Sequence, residues 1–293
     1  MCVKYGGIMR VFFIDTDSEL PFNYANELGL KLIKMPYILD GEERFDDAGE
    51  NSDQKAFFNT LREGKTSKTA ALNMQDYIDI FEPHFKNGDE MFYLTFSRTM
   101  SGTFNYMDNA LKELREKYPN ASFRDFDSRS ISLGTGIQCY YAGKMFKEGK
   151  SFDEIIEFLQ EFSKQIAVYF AVDDLGHLKR GGRISGITAI VGSVLGIKPI
   201  LTMTEDAKLD KCGTVKGSKK VISFFIDKLK EEACDLDKYD VFIMQADVED
   251  KGEALKKAVL EEFPDTNVHV LMVGPVIGSH CGPGTLGIIY HKK

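Results

Sequence analysis

The chain has 293 residues, enough for about two domains at ~150 residues each. Its apolar share of 43% excludes a disordered chain, and 37 Lys+Arg against 45 Asp+Glu leave a formal net charge of −8. A body this acidic is a poor match for phosphate backbones, which need a basic patch.

Short apolar runs alternate with helical patterns from end to end, the signature of an α/β architecture. Arg10–Ile14 predicts a first strand, ending in Asp15-Thr16-Asp17-Ser18. Lys31–Leu39 predicts a second, interrupted by Pro36; Gln75–Phe85 predicts a helix and Met91–Phe96 a strand. In the next segment Phe104, Met107, Leu111 and Leu114 fall on one face of a 3.6-residue period. Ser151 and Glu154 form a capping box that opens a helix over Asp153–Gln165, followed by a strand at Ala167–Val172. A glycine-punctuated segment then leads to Ile200. Ser218 is read as the cap of a helix to Glu232, before a strand at Asp240–Gln245 and a helix at Gly252–Glu262. Two closing strands, Val268–Val273 and Leu286–Tyr290, flank a Gly/Pro-rich loop. The count implies two α/β domains, residues 1–165 and 166–293, the first ~8 residues read as an extension because Met9 is an equally plausible start.

The cysteines (2, 139, 212, 234 and 281) form no CxxC pair and the five histidines no HxH or HExxH pair, so the spacing supports no metal site. Scattered thiols, no visible leader and no ~20-residue apolar span point to a cytoplasmic protein. There is no GxxxxGK[ST] phosphate loop, no GxSxG elbow, and Gly134-Thr135-Gly136 lacks the third glycine of a dinucleotide fingerprint.

Four segments could carry chemistry. Thr95–Thr103 leaves a strand end and enters a helix, where unpaired N–H groups favour an anion; Ser97, Ser101 and Thr103 add hydroxyls, although Ser101 or Thr103 could equally serve as caps. Lys65-Thr66-Ser67-Lys68-Thr69 is a second hydroxyl-rich stretch. Gly274–Gly284 surrounds His280 with glycine and proline, a tight loop where backbone can approach a ligand. Leu178–Ser185 places Lys179 and Arg180 before Gly181, as at a helix C-terminus, and the charge-free run 187–196 that follows should be buried. Asp15, Asp17, Asp173 and Asp174 could form a carboxylate dyad or ligate a metal, although strand-end Asp residues more often cap turns.

In order along the chain, Ile14–Ser18, Lys65–Ser67, Ser97 with Ser101-Gly102-Thr103, Leu178–Ser185, Ile197–Ile200 and Gly274–Gly284 resemble the DegV family of bacterial fatty-acid-binding proteins. The resemblance implies two α/β domains with a lipid-binding cleft between them, a long-chain fatty acid as ligand and no cofactor. It further implies a partner fatty acid kinase that phosphorylates the presented carboxylate to an acyl phosphate, no catalytic activity of the chain's own, and no membrane contact beyond transient surface exchange. Its carboxylate-contacting positions fall on Thr66, Ser97 and His280, with Ser67 and Gly282 adjacent and Arg183 in the GGRIS segment. Lys68-Thr69-Ala70 stands where the family has Gln-Pro-Ser, Arg98 where it has a second Ser, and Lys216 where many members carry Arg. Lys68 or Arg98 could add positive charge near the head group or point to solvent. The rival reading is a hydrolase of a small ester or acyl substrate, with Ser97 as nucleophile and His280 as base.

Overall fold

Aromatic and β-branched runs become strands and the 3.6-residue patterns become helices in a mixed α/β fold. A computed structural model describes residues 4–5, 8–183 and 196–293; of the run 187–196 expected to be buried, only Gly196 lies among them, and it is exposed at a turn. The first strands are β1 (Lys4–Tyr5), β2 (Ile8–Asp15), β3 (Lys31–Ile33), β4 (Pro36–Leu39), β5 (Glu42–Phe45), β6 (Ser67–Thr69), β7 (Glu90–Thr95) and β8 (Ser122–Asp127). The later ones are β9 (Ile166–Ala171), β10 (Ile197–Met203), β11 (Leu209–Lys216), β12 (Val241–Gln245), β13 (Val268–Met272) and β14 (Leu286–His291). The helices are α1 (Phe22–Leu28), α2 (Gln54–Arg62), α3 (Met74–Asn87), α4 (Thr103–Lys117) and α5 (Leu133–Lys147). They continue with α6 (Phe152–Phe162), α7 (Leu175–Arg180), α8 (Ser218–Glu232), α9 (Glu249–Glu262) and α10 (Pro275–Cys281).

Strands β3, β2, β7 and β8 form a parallel sheet, with β1 added antiparallel to β2. A six-stranded sheet runs β11-β10-β9-β14-β12-β13, antiparallel except for β12 and β13. A small antiparallel sheet, β5-β4-β6, carries the hydroxyl-rich stretch. Strands of the six-stranded sheet all come from Ile166 onward; those of the other two all come before it. The main apolar core is continuous from Phe13 and Tyr93 beneath the first sheet, through Ile137 of α5, to Phe170, Phe242 and Met244 beneath the second.

Several expectations are revised. The Lys31–Leu39 strand is two strands in different sheets, divided before Pro36, a residue tolerated at the first position of a strand. Ser218 is the first helical residue of α8, not its cap; Gly217 holds the cap position at φ 84°. Within the Gly/Pro loop, Pro275 starts the short helix α10 at a position where its missing N–H costs nothing. The capping box at Ser151 and Glu154 is present on both sides.

Candidate functional site

Helix α10 is set by Gly274 at its N-cap and ends at Gly282, whose φ of 71° is disfavoured for a residue with a Cβ. Its last turn carries Ser279 and His280 against β6. Ser67 and Thr69 are two residues apart on that strand and therefore share a face. Ser67 Oγ lies 2.6 Å from Ser279 Oγ, whose hydroxyl also donates to the Pro275 carbonyl at 2.7 Å. Thr69 Oγ1 lies 3.0 Å from His280 Nε2.

The other wall comes from α7. Asp174 caps it, its carboxylate accepting from the Gly176 N–H at 2.7 Å. The helix ends at Gly181 and Gly182, and it is Gly182, at φ 71°, that takes the left-handed turn. Gly181 lies directly against the imidazole, where any Cβ would collide with His280 Nδ1. Arg183 follows, its guanidinium donating to the Met100 carbonyl (3.1 Å) and the Gly181 carbonyl (2.6 Å). Burial, reinforced by the Arg183 charge, lowers the His280 pKa to about 4, so the ring is neutral at pH 7.

Two cavities meet here. The first, ≈ 210 Å³, is mostly apolar: Met35, Phe96, Met100, Ile131, Phe170, Leu178 and Met244 line it from both large sheets and their connections. The second, ≈ 630 Å³, is lined by Thr66, Ser67, Lys68, Arg180, Gly181 and Ser279 among others. Thr69, Arg183 and His280 belong to both. An apolar chamber thus opens onto hydroxyls, one fixed guanidinium and one neutral imidazole, an arrangement suited to an elongated apolar molecule with a polar end.

Of the residues singled out in the sequence, Thr66, Ser67, Arg183 and His280 come together at this junction. Ser97 is fully buried behind the Phe96–Met100 wall rather than on the lining, and its Oγ has no hydrogen-bond partner among the described residues. Gly282 is not a lining residue; a Cβ there would strike the His177 ring, so it governs packing. Ser101 lines the apolar cavity, while α4 is capped by Gly102 without a side chain. Arg98 is paired with Asp108 (3.0 Å) and Asp125 (2.6 Å), whereas Lys68 lines the second cavity. Thr69, part of the hydroxyl-rich stretch but not singled out as a head-group contact, is the residue that bonds His280; its two-residue spacing from Ser67 was the available signal.

Beside the junction lies a group the sequence hinted at only through Asp15 and Asp17. Asp15, Asp17, Glu19 and Asp46 are all buried, and each has one carboxyl oxygen without a partner among the described residues. Glu19 accepts from the Gly274 N–H at 2.6 Å and Asp46 from the Ala48 N–H at 2.9 Å, so both sit against the entrance to α10. Asp15 accepts from Tyr93 Oη at 2.8 Å and the Phe96 N–H at 3.0 Å. Desolvation is the leading cause of raised pKa values throughout: to about 6 for Asp15, about 7 for Asp46, and well above the ordinary carboxyl range for Asp17 and Glu19. Asp17 also lines the apolar cavity.

An α/β protein with two large sheets and an apolar chamber closed by hydroxyls and a histidine is the class that fold and site define. A family model described as an uncharacterised protein of the DegV family matches residues 11–293, and the chain belongs to that family. A DegV domain-containing protein of Clostridium perfringens is 36% identical over 280 residues, 96% of each chain. Among solved structures, a DegV-family protein of Thermus thermophilus described as fatty-acid binding is 26% identical, with a TM-score of 0.83, covering 97% of this chain and 99% of its own. A protein of Bacillus subtilis described as DegV, a fatty acid binding protein, is likewise 26% identical, with a TM-score of 0.82 and the same coverage.

Proposed function

We propose that this chain binds a long-chain fatty acid in the cleft between its two large sheets and presents the carboxylate to a fatty acid kinase. The observation that carries this reading is the meeting of an apolar and a polar cavity at Thr69, Arg183 and His280. The description of the Thermus and Bacillus proteins as fatty-acid binding supports it. The acyl chain occupies the apolar chamber; burying ~14 methylenes at ~0.8 kcal/mol each contributes roughly 11 kcal/mol before ordering costs.

The head group meets the hydroxyls of Thr66, Ser67 and Thr69 and the His280 ring. A neutral imidazole and neutral hydroxyls hold a carboxylate as donors without neutralising it, which leaves its oxygens nucleophilic toward a phosphoryl donor. The chain performs no step of its own, and the phosphorylating chemistry belongs to the partner. The hydrolase reading loses ground because Ser97 Oγ has no hydrogen-bonded base among the described residues.

Mass spectrometry of an organic extract of the purified protein, with native mass spectrometry alongside, tests the binding. One fatty acid per chain is expected. Absence of lipid, with no uptake of offered oleate or palmitate, would overturn it. Presentation is tested separately: the loaded chain mixed with a fatty acid kinase and ATP should yield acyl phosphate, and failure there would leave a lipid-binding protein without that partner.

A further inference from the structure

Far along β14 from α10, the closing residues of the chain assemble a second polar cluster, independent of the lipid reading. His291 ends β14 opposite Ile166, with its side chain only 4% exposed. Its ring is stacked on Phe162 (centroids 5.5 Å apart, planes at 14°) and lies 4.4 Å from Tyr239, so its orientation is fixed. The segment after α8 zips onto it: Ala233 bridges Lys292, and the Cys234 N–H donates to the His291 carbonyl at 3.2 Å. Asp235 follows in the left-handed region at φ 51°, its carbonyl accepting from the Lys238 and Tyr239 N–H groups at 2.9 and 2.8 Å.

This backbone brings three ligand atoms to one point. Cys234 Sγ lies 3.2 Å and Asp235 Oδ2 3.6 Å from His291 Nδ1, and all three lie within 4.8 Å of one another. Tetrahedral zinc at its usual bond lengths separates a thiolate sulfur from an imidazole nitrogen by about 3.6 Å, and the nitrogen from a carboxylate oxygen by about 3.4 Å. The two nitrogen separations lie within about 0.4 Å of those values, and sulfur and oxygen are within 4.8 Å of each other. A hydrogen-bonded Cys–His pair alone would not require the carboxylate on the same nitrogen.

We propose that Cys234, Asp235 and His291 form a three-ligand site for a borderline-soft divalent cation of the zinc type. On binding, the cation sheds water ligands, the thiol proton passes to solvent, and one coordination position stays with water. Thiolate and carboxylate then balance the double positive charge. The ion would tie the end of β14 to the turn after α8. Spacing alone gave no sign of it, because His291 stands 57 positions from Cys234.

The test uses the full chain, reduced and stripped with a chelator, titrated with Co²⁺. One equivalent should give the visible bands of tetrahedral cobalt with a thiolate charge-transfer band, and Zn²⁺ should displace it. Cys234→Ser should abolish the charge-transfer band, and Asp235→Asn should weaken binding about tenfold. Both positions lie near the surface, so far-UV circular dichroism should stay native. No stoichiometric Co²⁺ uptake, or a charge-transfer band that survives Cys234→Ser, overturns the proposal.

Discussion

The two ends of α10 meet opposite environments. At its start, Gly274 faces Glu19 and Asp46, buried carboxyls each with one oxygen unpaired among the described residues. At its end, Ser279 and His280 face Ser67 and Thr69, neutral groups hydrogen-bonded to one another. The paired end holds a shape open for a ligand. The other end stores protons, because acids so deeply desolvated are kept neutral well above the usual carboxyl range. One seven-residue helix therefore joins a pH-sensitive contact to a nearly pH-independent one.

The largest test of this contrast is Gly181→Val, which fills the space beside His280. We expect binding of a fluorescent fatty acid to fall about a hundredfold, overpacking of this kind costing about 1–3 kcal/mol; unchanged affinity would place the head group elsewhere. His280→Ala should lower affinity about tenfold or more, since a hydrogen bond to a charged group is worth about 1.5–3 kcal/mol. A His280→Ala variant that binds like wild type would remove the ring from the site. Ser97→Ala should leave the melting temperature of the lipid-free protein unchanged, its hydroxyl being unpaired there among the described residues.

The carboxyl end makes its own prediction. Asp15 and Asp46 have folded pKa values of about 6 and 7, above their unfolded values near 4, so the folded state binds the extra protons. Their contribution is complete below about pH 4 and is lost as pH rises through 6 and 7, at about 1.4 kcal/mol per pH unit for each group titrating. Urea unfolding at pH 5.5 and 7.5 should show lower stability at the higher pH, and Asp46→Asn should flatten the difference. A difference that Asp46→Asn leaves unchanged would mean that Asp46 is already ionised at pH 5.5. Thr69→Val, which removes one hydroxyl at nearly constant volume, should weaken lipid binding about fivefold, the worth of about 1 kcal/mol. Ser151→Ala, at a cap remote from both ends of α10, should cost about 1 kcal/mol of stability and leave lipid affinity alone.

Legibility in the sequence followed how local each feature is. Helix α4 and the α6 cap announced themselves because their signals lie within a few residues of one another. Helix α5 did not: it is buried on nearly every side, so it has no polar face to mark a period. The site was half visible. Ser67 and His280 stood out as residue types, but their neighbours are 212 and 211 positions away in sequence, and only the packing of β6 against α10 assigns the partners. The acid cluster was less visible still, because Glu19 and Asp46 look like surface residues until burial is known.

The core that runs unbroken through α5 from one large sheet to the other constrains how a ligand could enter. Prising the sheets apart would expose Ile137, Phe170 and Met244 to water together, so the halves should melt in a single cooperative transition. On the proposed reading, lipid exchange works through local openings cheaper than that event, at segments such as β6 and α7 that cover the chamber. For the same reason neither half is a unit to express alone: cut at residue 165, each would carry a raw apolar face into solution and aggregate.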